Sequence, residues 1–192
     1  MAFHQKKSES GFTLVDILVA ATIMTLMTGI LLANFSKARI NLSESSAIII
    51  GAIRKAEAKA ISSALINGTD GPYHPCGYGV MYNNISSVAI FSGPIEENCT
   101  DNKYGPSYSV FETIKLVDPR IEIRNISRSF YDIFFRPPDP RMYIDGIANF
   151  GSSERILISR IGASCDEQNC QTICVYGTGR IETFPNLIES CP

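Results

Sequence analysis

The residues best equipped for chemistry are six cysteines: Cys76, Cys99, Cys165, Cys170, Cys174 and Cys191. All six lie beyond the apolar N-terminal run, in the part of the chain where an oxidising compartment would leave disulfides. Six cysteines allow fifteen connectivities, and the sequence alone does not choose among them. Spacing favours one set. Cys165 and Cys170 bracket a polar tip between two strand-like runs, so a bridge there closes a hairpin loop. Cys174, in the next strand, paired with Cys191 ties down the C-terminus and leaves Cys76 with Cys99 across the first hairpin. The rival is a metal centre built from Cys165, Cys170, Cys174 and His74. Its spacing lacks the C-x2-C pairs of structural zinc.

Other reactive groups are sparse. The histidines are His4 and His74, and there is no nucleophile elbow, P-loop or H-E-x-x-H run. Asp139 and Asp145 flank a Pro-rich turn and could meet Ca²⁺, but no EF-hand-like loop surrounds them. The expectation is a protein that is not an enzyme and that needs no cofactor or metal. With a net charge of −2, the chain as a whole has no pull toward nucleic acid.

One more acid, Asp16, is informative because of where it sits. From Phe12 to Phe35 the chain is apolar for about 24 residues, above the ~20 needed to cross a bilayer as a helix, and Asp16 is its one ionisable group. An acid in hydrocarbon costs roughly 2.5–3.5 kcal/mol at a helix centre, and less near the interface, so it reads as functional. Lys6 and Lys7 precede the segment and place its start in the cytoplasm, with the remainder outside. Lys37 and Arg39 follow it, where their stems can snorkel.

The elements beyond the span follow from periodicity. Ile49, Ile53, Ala56, Ala60 and Ala64 recur at helical spacing, with Lys55, Lys59 and Ser62 on another face. Asn67-Gly68 and Gly71-Pro72 are expected to stop this helix. Then the period becomes two. Strands are expected at 78–82, 87–92, 108–116, 120–126, 130–136, 155–161, 172–176 and 180–184. A long helix followed by antiparallel strands is an α+β arrangement. About 120 residues beyond the helix suffice for one small domain.

The segment Gly11-Phe-Thr-Leu-Val15, after Lys6 and Lys7 and before the apolar run, resembles the type III signal of type IV pilins and type II secretion pseudopilins. The resemblance implies cleavage between Gly11 and Phe12 by a prepilin peptidase, and N-methylation of Phe12. It implies that Asp16, where the family usually has Glu, pairs with the N-terminal amine of a neighbouring subunit. The run IGAIRKAEAKAISS and the later FFRPPDPRMYIDG, RILISRIG and ICVYGTGRIE are similar to GspH/FimT-type minor pseudopilins, whose last strands carry a Gly-Arg pair like Gly177, Gly179 and Arg180. Glu182 beside Arg180 makes a poor phosphate site, so nucleic-acid binding is not carried over.

The expected organisation is therefore a leader over 1–11, a transmembrane helix over 12–35, an amphipathic continuation over 36–68 and a β-rich extracytoplasmic domain over 69–192. The fold implied is pilin-like, a long N-terminal helix packed on an antiparallel sheet. The implied role is a minor subunit of a pilus or pseudopilus, lodged in the inner membrane until assembly. Its implied partners are the peptidase, sister subunits and the inner-membrane assembly platform. The alternative is a membrane-anchored binding domain that never polymerises. Which machine such a subunit would serve is not written in these residues.

Overall fold

The computed structural model describes residues 13–68, 71–95, 102–124, 130–137, 141–148 and 151–192, without the side chains of 32–40. The leader residues Lys6, Lys7 and Gly11, together with Phe12, lie outside this set. One helix, α1 (Leu14–Ile61), precedes eleven strands, and the chain divides into two compact units between Lys37 and Ala38.

The first unit holds the start of α1. Its window Leu14–Leu31 has a mean hydropathy of 2.1, and none of it is buried. At 1.5 Å per residue these 18 residues rise about 27 Å, close to the ~30 Å of a hydrocarbon core. Thr22, Thr25 and Thr28 do not break the pattern. Their hydroxyls donate to the carbonyls of Val19, Ala21 and Met24 at 2.8, 2.7 and 2.8 Å, so no hydroxyl hydrogen is left for an apolar solvent to satisfy. By length and composition this helix can cross a membrane.

The second unit is the β-rich domain with the rest of α1. Leu42, Ser45, Ser46, Ile49, Ala52, Ile53, Ala56 and Ala60 are buried, singly or in adjacent pairs that recur every three or four residues and trace one helix face. The small side chains at 52, 56 and 60 let sheet residues approach the backbone closely. Outside the stripe, Lys55 pairs with Glu112 at 2.6 Å and Arg54 with Glu57 at 2.7 Å.

The helix stops at Ile61, short of the expected Gly68. Ser63 takes a left-handed conformation (φ 45°), its N–H bonds the Ala60 carbonyl, and the Ala64 N–H bonds the Lys59 carbonyl. This is a Schellman cap, which closes a helix without the glycine that the sequence reading looked for. Asn67-Gly68 belongs instead to a small hairpin, β1 (Ile66–Gly68) on β2 (Gly71–Tyr73). Ala64 is partly buried against the core but lies beyond the helix.

Two antiparallel sheets follow. In one, β5 (Ser109–Lys115), β4 (Ser87–Ser92), β3 (Tyr78–Asn84), β7 (Asp132–Arg136) and β8 (Arg141–Ile144) lie in that order. In the other, β11 (Ile181–Pro185), β10 (Cys170–Tyr176), β9 (Ser153–Arg160) and β6 (Ile121–Arg124) do. The main core joins the buried helix stripe to one face of each sheet, including Val80, Ile90, Ile133 and Phe135 from the first and Ile123, Ile156, Ile158 and Ile173 from the second.

The five-stranded sheet is covered on its other face too. Phe91, Tyr108, Phe134 and Cys76 form a second cluster, with Phe91 stacked on Phe134 at 5.9 Å and Tyr104 edge-on to Phe91 at 5.2 Å. Gly79 is required there, because a Cβ would run into the Phe91 ring and the Ile133 carbonyl. The eight strands expected from alternation all form, and β1, β2 and β8 are additional. β7 ends at Arg136, directly before Pro137, and β8 begins after Pro140.

Candidate functional sites

Asp16 sits in the first turn of α1, three residues after Thr13. Its carboxylate accepts the Thr13 backbone N–H at 3.0 Å and the Thr13 hydroxyl at 2.8 Å, while the Asp16 N–H donates to Thr13 Oγ1 at 3.3 Å. This is a capping box with Asp in the place of Glu, and it satisfies the Thr13 and Asp16 N–H groups at the helix start. The acid that reads as an assembly group thus has a local task as well. Gly11 and Phe12, the two sides of the expected scissile bond, lie outside the described residues.

Two of the expected disulfides form. Cys165 bonds Cys170 and Cys174 bonds Cys191, with Cα separations of 5.1 and 5.7 Å. Cys76 is also disulfide-bonded, while Cys99 lies outside the described residues. The second bridge anchors a C-terminal strap. Arg155 on β9 donates to the carbonyls of Ile188 and, at 2.7 Å, Glu189, and Thr172 on β10 donates to the Asn186 carbonyl at 2.5 Å. With these sulfurs paired, the four-ligand metal alternative has no thiolates to offer. Among the described residues, no group of three or more His, Cys, Asp or Glu side chains is placed to hold a metal ion. His74 Nδ1 lies 3.1 Å from the Ser63 carbonyl, beside the helix cap.

Gly177, Gly179 and Arg180 make the turn between β10 and β11. The Gly177 N–H bonds the Ser152 carbonyl and the Gly179 N–H bonds the Tyr176 carbonyl, with Gly179 at φ 85°. Arg180 lies over the Tyr176 ring at 4.1 Å and pairs with Glu182 at 3.4 Å, and the Tyr176 hydroxyl also donates to Glu182. The arginine is absorbed by its own hairpin.

Sequence reading missed an acidic group formed by Asp132, Asp145 and Glu154. Asp132 is buried on β7, where it alternates with Phe134 on the face away from the main core. Its Oδ2 accepts the Tyr104 N–H at 3.0 Å, and its Oδ1 has no partner among the described residues. The backbones of Asp132 and Asp145 are bonded, Asp145 N–H to Asp132 carbonyl at 3.2 Å. Glu154 begins β9 in phase with buried Ile156 and Ile158.

Burial pushes the Asp132 carboxyl up to about 6 against the Tyr104 hydrogen bond, and it raises Asp145 as well. Glu154 rises to about 7, from burial and then the charge of Asp145. The signal was present as a lone acid in an apolar strand. Asp139, which the sequence pairs with Asp145, lies outside the described residues.

No protein-family model, curated protein or solved structure matches this chain.

Proposed function

We propose that the chain is a membrane-anchored structural subunit of the pilin and pseudopilin kind, of minor type, cut by a prepilin peptidase after Gly11 and assembled through α1. The observation that carries this reading is a helix with two characters. Its start is apolar and unburied over Leu14–Leu31, and its end is packed by a small-residue stripe on antiparallel sheets. The motif resembling a type III signal stands directly before it. In this reading the membrane stores the apolar half until sister subunits replace lipid around it. The disulfides and the C-terminal strap keep the domain intact outside the cytoplasm.

Mass spectrometry of the mature N-terminus tests the reading. The expected chain begins at Phe12 and carries one added methyl group, and Gly11→Leu blocks the cut. A mature protein that begins at Met1, or beyond the apolar run, would remove the basis of the proposal.

The capping box favours a second reading, a plain anchored domain, because it accounts for Asp16 without any partner. Asp16→Ala separates the two. In the assembly reading it leaves membrane insertion and cleavage intact and reduces recovery in the fibre, and Asp16→Glu restores it. Unchanged recovery of the Ala variant leaves the carboxylate with its capping role alone.

A further inference from the structure

The end of the domain at which α1 enters it is built unlike the rest of its surface. Three connections meet there: the β3–β4 turn, the β5–β6 segment and the β9–β10 turn. They are hydrogen-bonded to one another. The Leu116 N–H bonds the Ser86 carbonyl at 2.9 Å, the Ile123 N–H bonds the Ile85 carbonyl at 2.6 Å, and the Ile161 N–H bonds the Arg120 carbonyl at 2.9 Å. Asn41 on α1 donates to Asp118 in the same layer, which fixes this layer at the helix's entry.

Each connection presents a large aliphatic side chain to solvent: Ile85 is 53% exposed, Val117 64% and Ile161 52%. Turn tips ordinarily carry polar residues, so three aliphatic tips on one linked layer form a feature rather than scatter. The β5–β6 and β9–β10 connections also line an open cleft of about 430 Å³, through Pro119, Arg120, Arg160, Ile161, Gly162 and Ala163.

The charges of this end are mostly spoken for. Arg120 pairs with Asp118 at 3.0 Å, and Arg124 with Glu122 at 3.4 Å while also donating to the Ala163 carbonyl. Arg160 has no side-chain partner among the described residues. It lines the cleft beside Arg120, whose charge is already met by Asp118.

Aliphatic tips set among arginines match the boundary between lipid headgroups and acyl chains, where apolar groups sink in and cations meet phosphate. The covalent chain also limits how far this end can lie from such a boundary. Asn41 follows Leu31, the last residue of the apolar window, by ten positions, so it can lie no farther than about 35 Å from it.

We infer that this surface docks on the anionic phospholipid headgroups of the bilayer that holds α1, with a lipid phosphate at Arg160. The inference rests on the reading of Leu14–Leu31 as a membrane anchor. The docked state belongs to the stored subunit, and extraction would have to break it. The chain's net charge of −2 gives no general attraction to such a surface, so the recognition is local.

The absence of tryptophan from the chain provides the test, since any introduced Trp is a sole reporter. The full-length protein carrying Val117→Trp or Ile161→Trp is reconstituted in phosphatidylglycerol-rich vesicles that contain lipids spin-labelled near the headgroup. Leu65→Trp, an exposed position just past the far end of α1, is the control, and Met24→Trp reports insertion of the span.

The expected result is at least about three-fold more quenching at 117 and 161 than at 65. It should fall when Arg160→Gln is added or when salt approaches about 1 M, where screening acts over about 3 Å. Arg160→Gln should shift the docked-to-free ratio about five-fold, the equivalent of ~1 kcal/mol. Equal quenching at 65 overturns docking. Equal quenching in zwitterionic vesicles overturns the headgroup contact. A concentration-dependent blue shift at 117 in lipid-free detergent names a second copy as the occupant and overturns the lipid. Absence of quenching at 24 by deep-labelled lipid removes the anchor, and docking falls with it.

Discussion

The two ends of α1 treat apolar side chains in opposite ways. In the first, Leu14, Met24 and Leu26 are 78, 70 and 68% exposed, and no described residue covers them. In the second, Ile49, Ile53, Ala56 and Ala60 are wholly buried against two sheets. The same backbone hydrogen bonds run through both. The difference lies in which faces are apolar: all round in the first, one stripe in the second. An all-round apolar helix has to be covered by something outside its own fold, whereas a striped one is covered by the fold. Function is therefore to be sought in the first end and stability in the second.

The sharpest way to break this contrast is a matched pair of truncations. Ile53→Ala should destabilise the domain by about 3 kcal/mol, since it removes a fully buried side chain from a core where two sheets and the helix limit collapse. Met24→Ala should leave domain stability unchanged within about 0.5 kcal/mol, because no protein contact is lost. Denaturant unfolding of the detergent-solubilised protein, followed by tyrosine fluorescence, reads both. A large loss from Met24→Ala would mean that the first end is part of the folded core.

The same contrast explains what could be read in advance. The span was legible because its composition is one-sided over 18 residues, and the stripe because residues 49, 53, 56 and 60 repeat at helical spacing. The strands were legible where alternation is clean, as in Ile121 and Ile123 against Glu122 and Arg124. The helix end was not, because a Schellman cap with Ser63 in the left-handed region leaves no glycine to mark it. β8 was hidden behind Pro137, Pro138 and Pro140.

Two disulfides could be ranked from spacing, because Cys165 and Cys170 bracket one short loop and Cys191 stands where a bridge to β10 ties down the C-terminus. The acidic group could not. Asp132, Asp145 and Glu154 come from three separate places in the sequence, and only the register of β7 and β8 and the start of β9 bring them together. Asp16 drew the attention that Asp132 did not, and the two carboxylates have different surroundings. Asp16 is satisfied by its own helix, while Asp132 is buried with one oxygen unpaired.

The burial of the acidic group can be measured through pH. The folded-state carboxyls of Glu154 and Asp132 titrate near 7 and 6, above their ordinary values. An acid with a raised pKa binds its proton more tightly in the folded chain. Its cost to stability is fully present above the folded pKa and is relieved as pH falls toward the unfolded value. Stability should therefore rise from pH 8 to about pH 5. Glu154→Gln should stabilise by about 2 kcal/mol at pH 8, by little at pH 5, and should flatten the profile between them. Unfolding midpoints across that range decide it. A wild-type profile that falls on acidification would show that the acids are stabilised by partners rather than strained by burial.

The smallest effect sharpens the boundary between helix and hairpin. Ser63 has φ 45°, and its Cβ makes that conformation costly, by roughly 1 kcal/mol for a non-glycine residue. The cost is offset by the two hydrogen bonds of the cap, which take up the Ala60 and Lys59 carbonyls. Ser63→Gly should keep those bonds, remove the strain and loosen the unfolded chain. The first two changes stabilise and the third opposes them, for a net gain of about 0.5 kcal/mol. Ser63→Val, β-branched and ill-suited to positive φ, should instead lose about 1–2 kcal/mol. Thermal unfolding of the pair, together with amide exchange at Ala64, tests the geometry directly. If Gly and Val shift stability in the same direction, the helix ends by some other turn. The hairpin β1–β2, held next to the cap by His74 on the Ser63 carbonyl and by the Tyr78 hydroxyl on the Ala64 carbonyl at 2.6 Å, would then have a different origin.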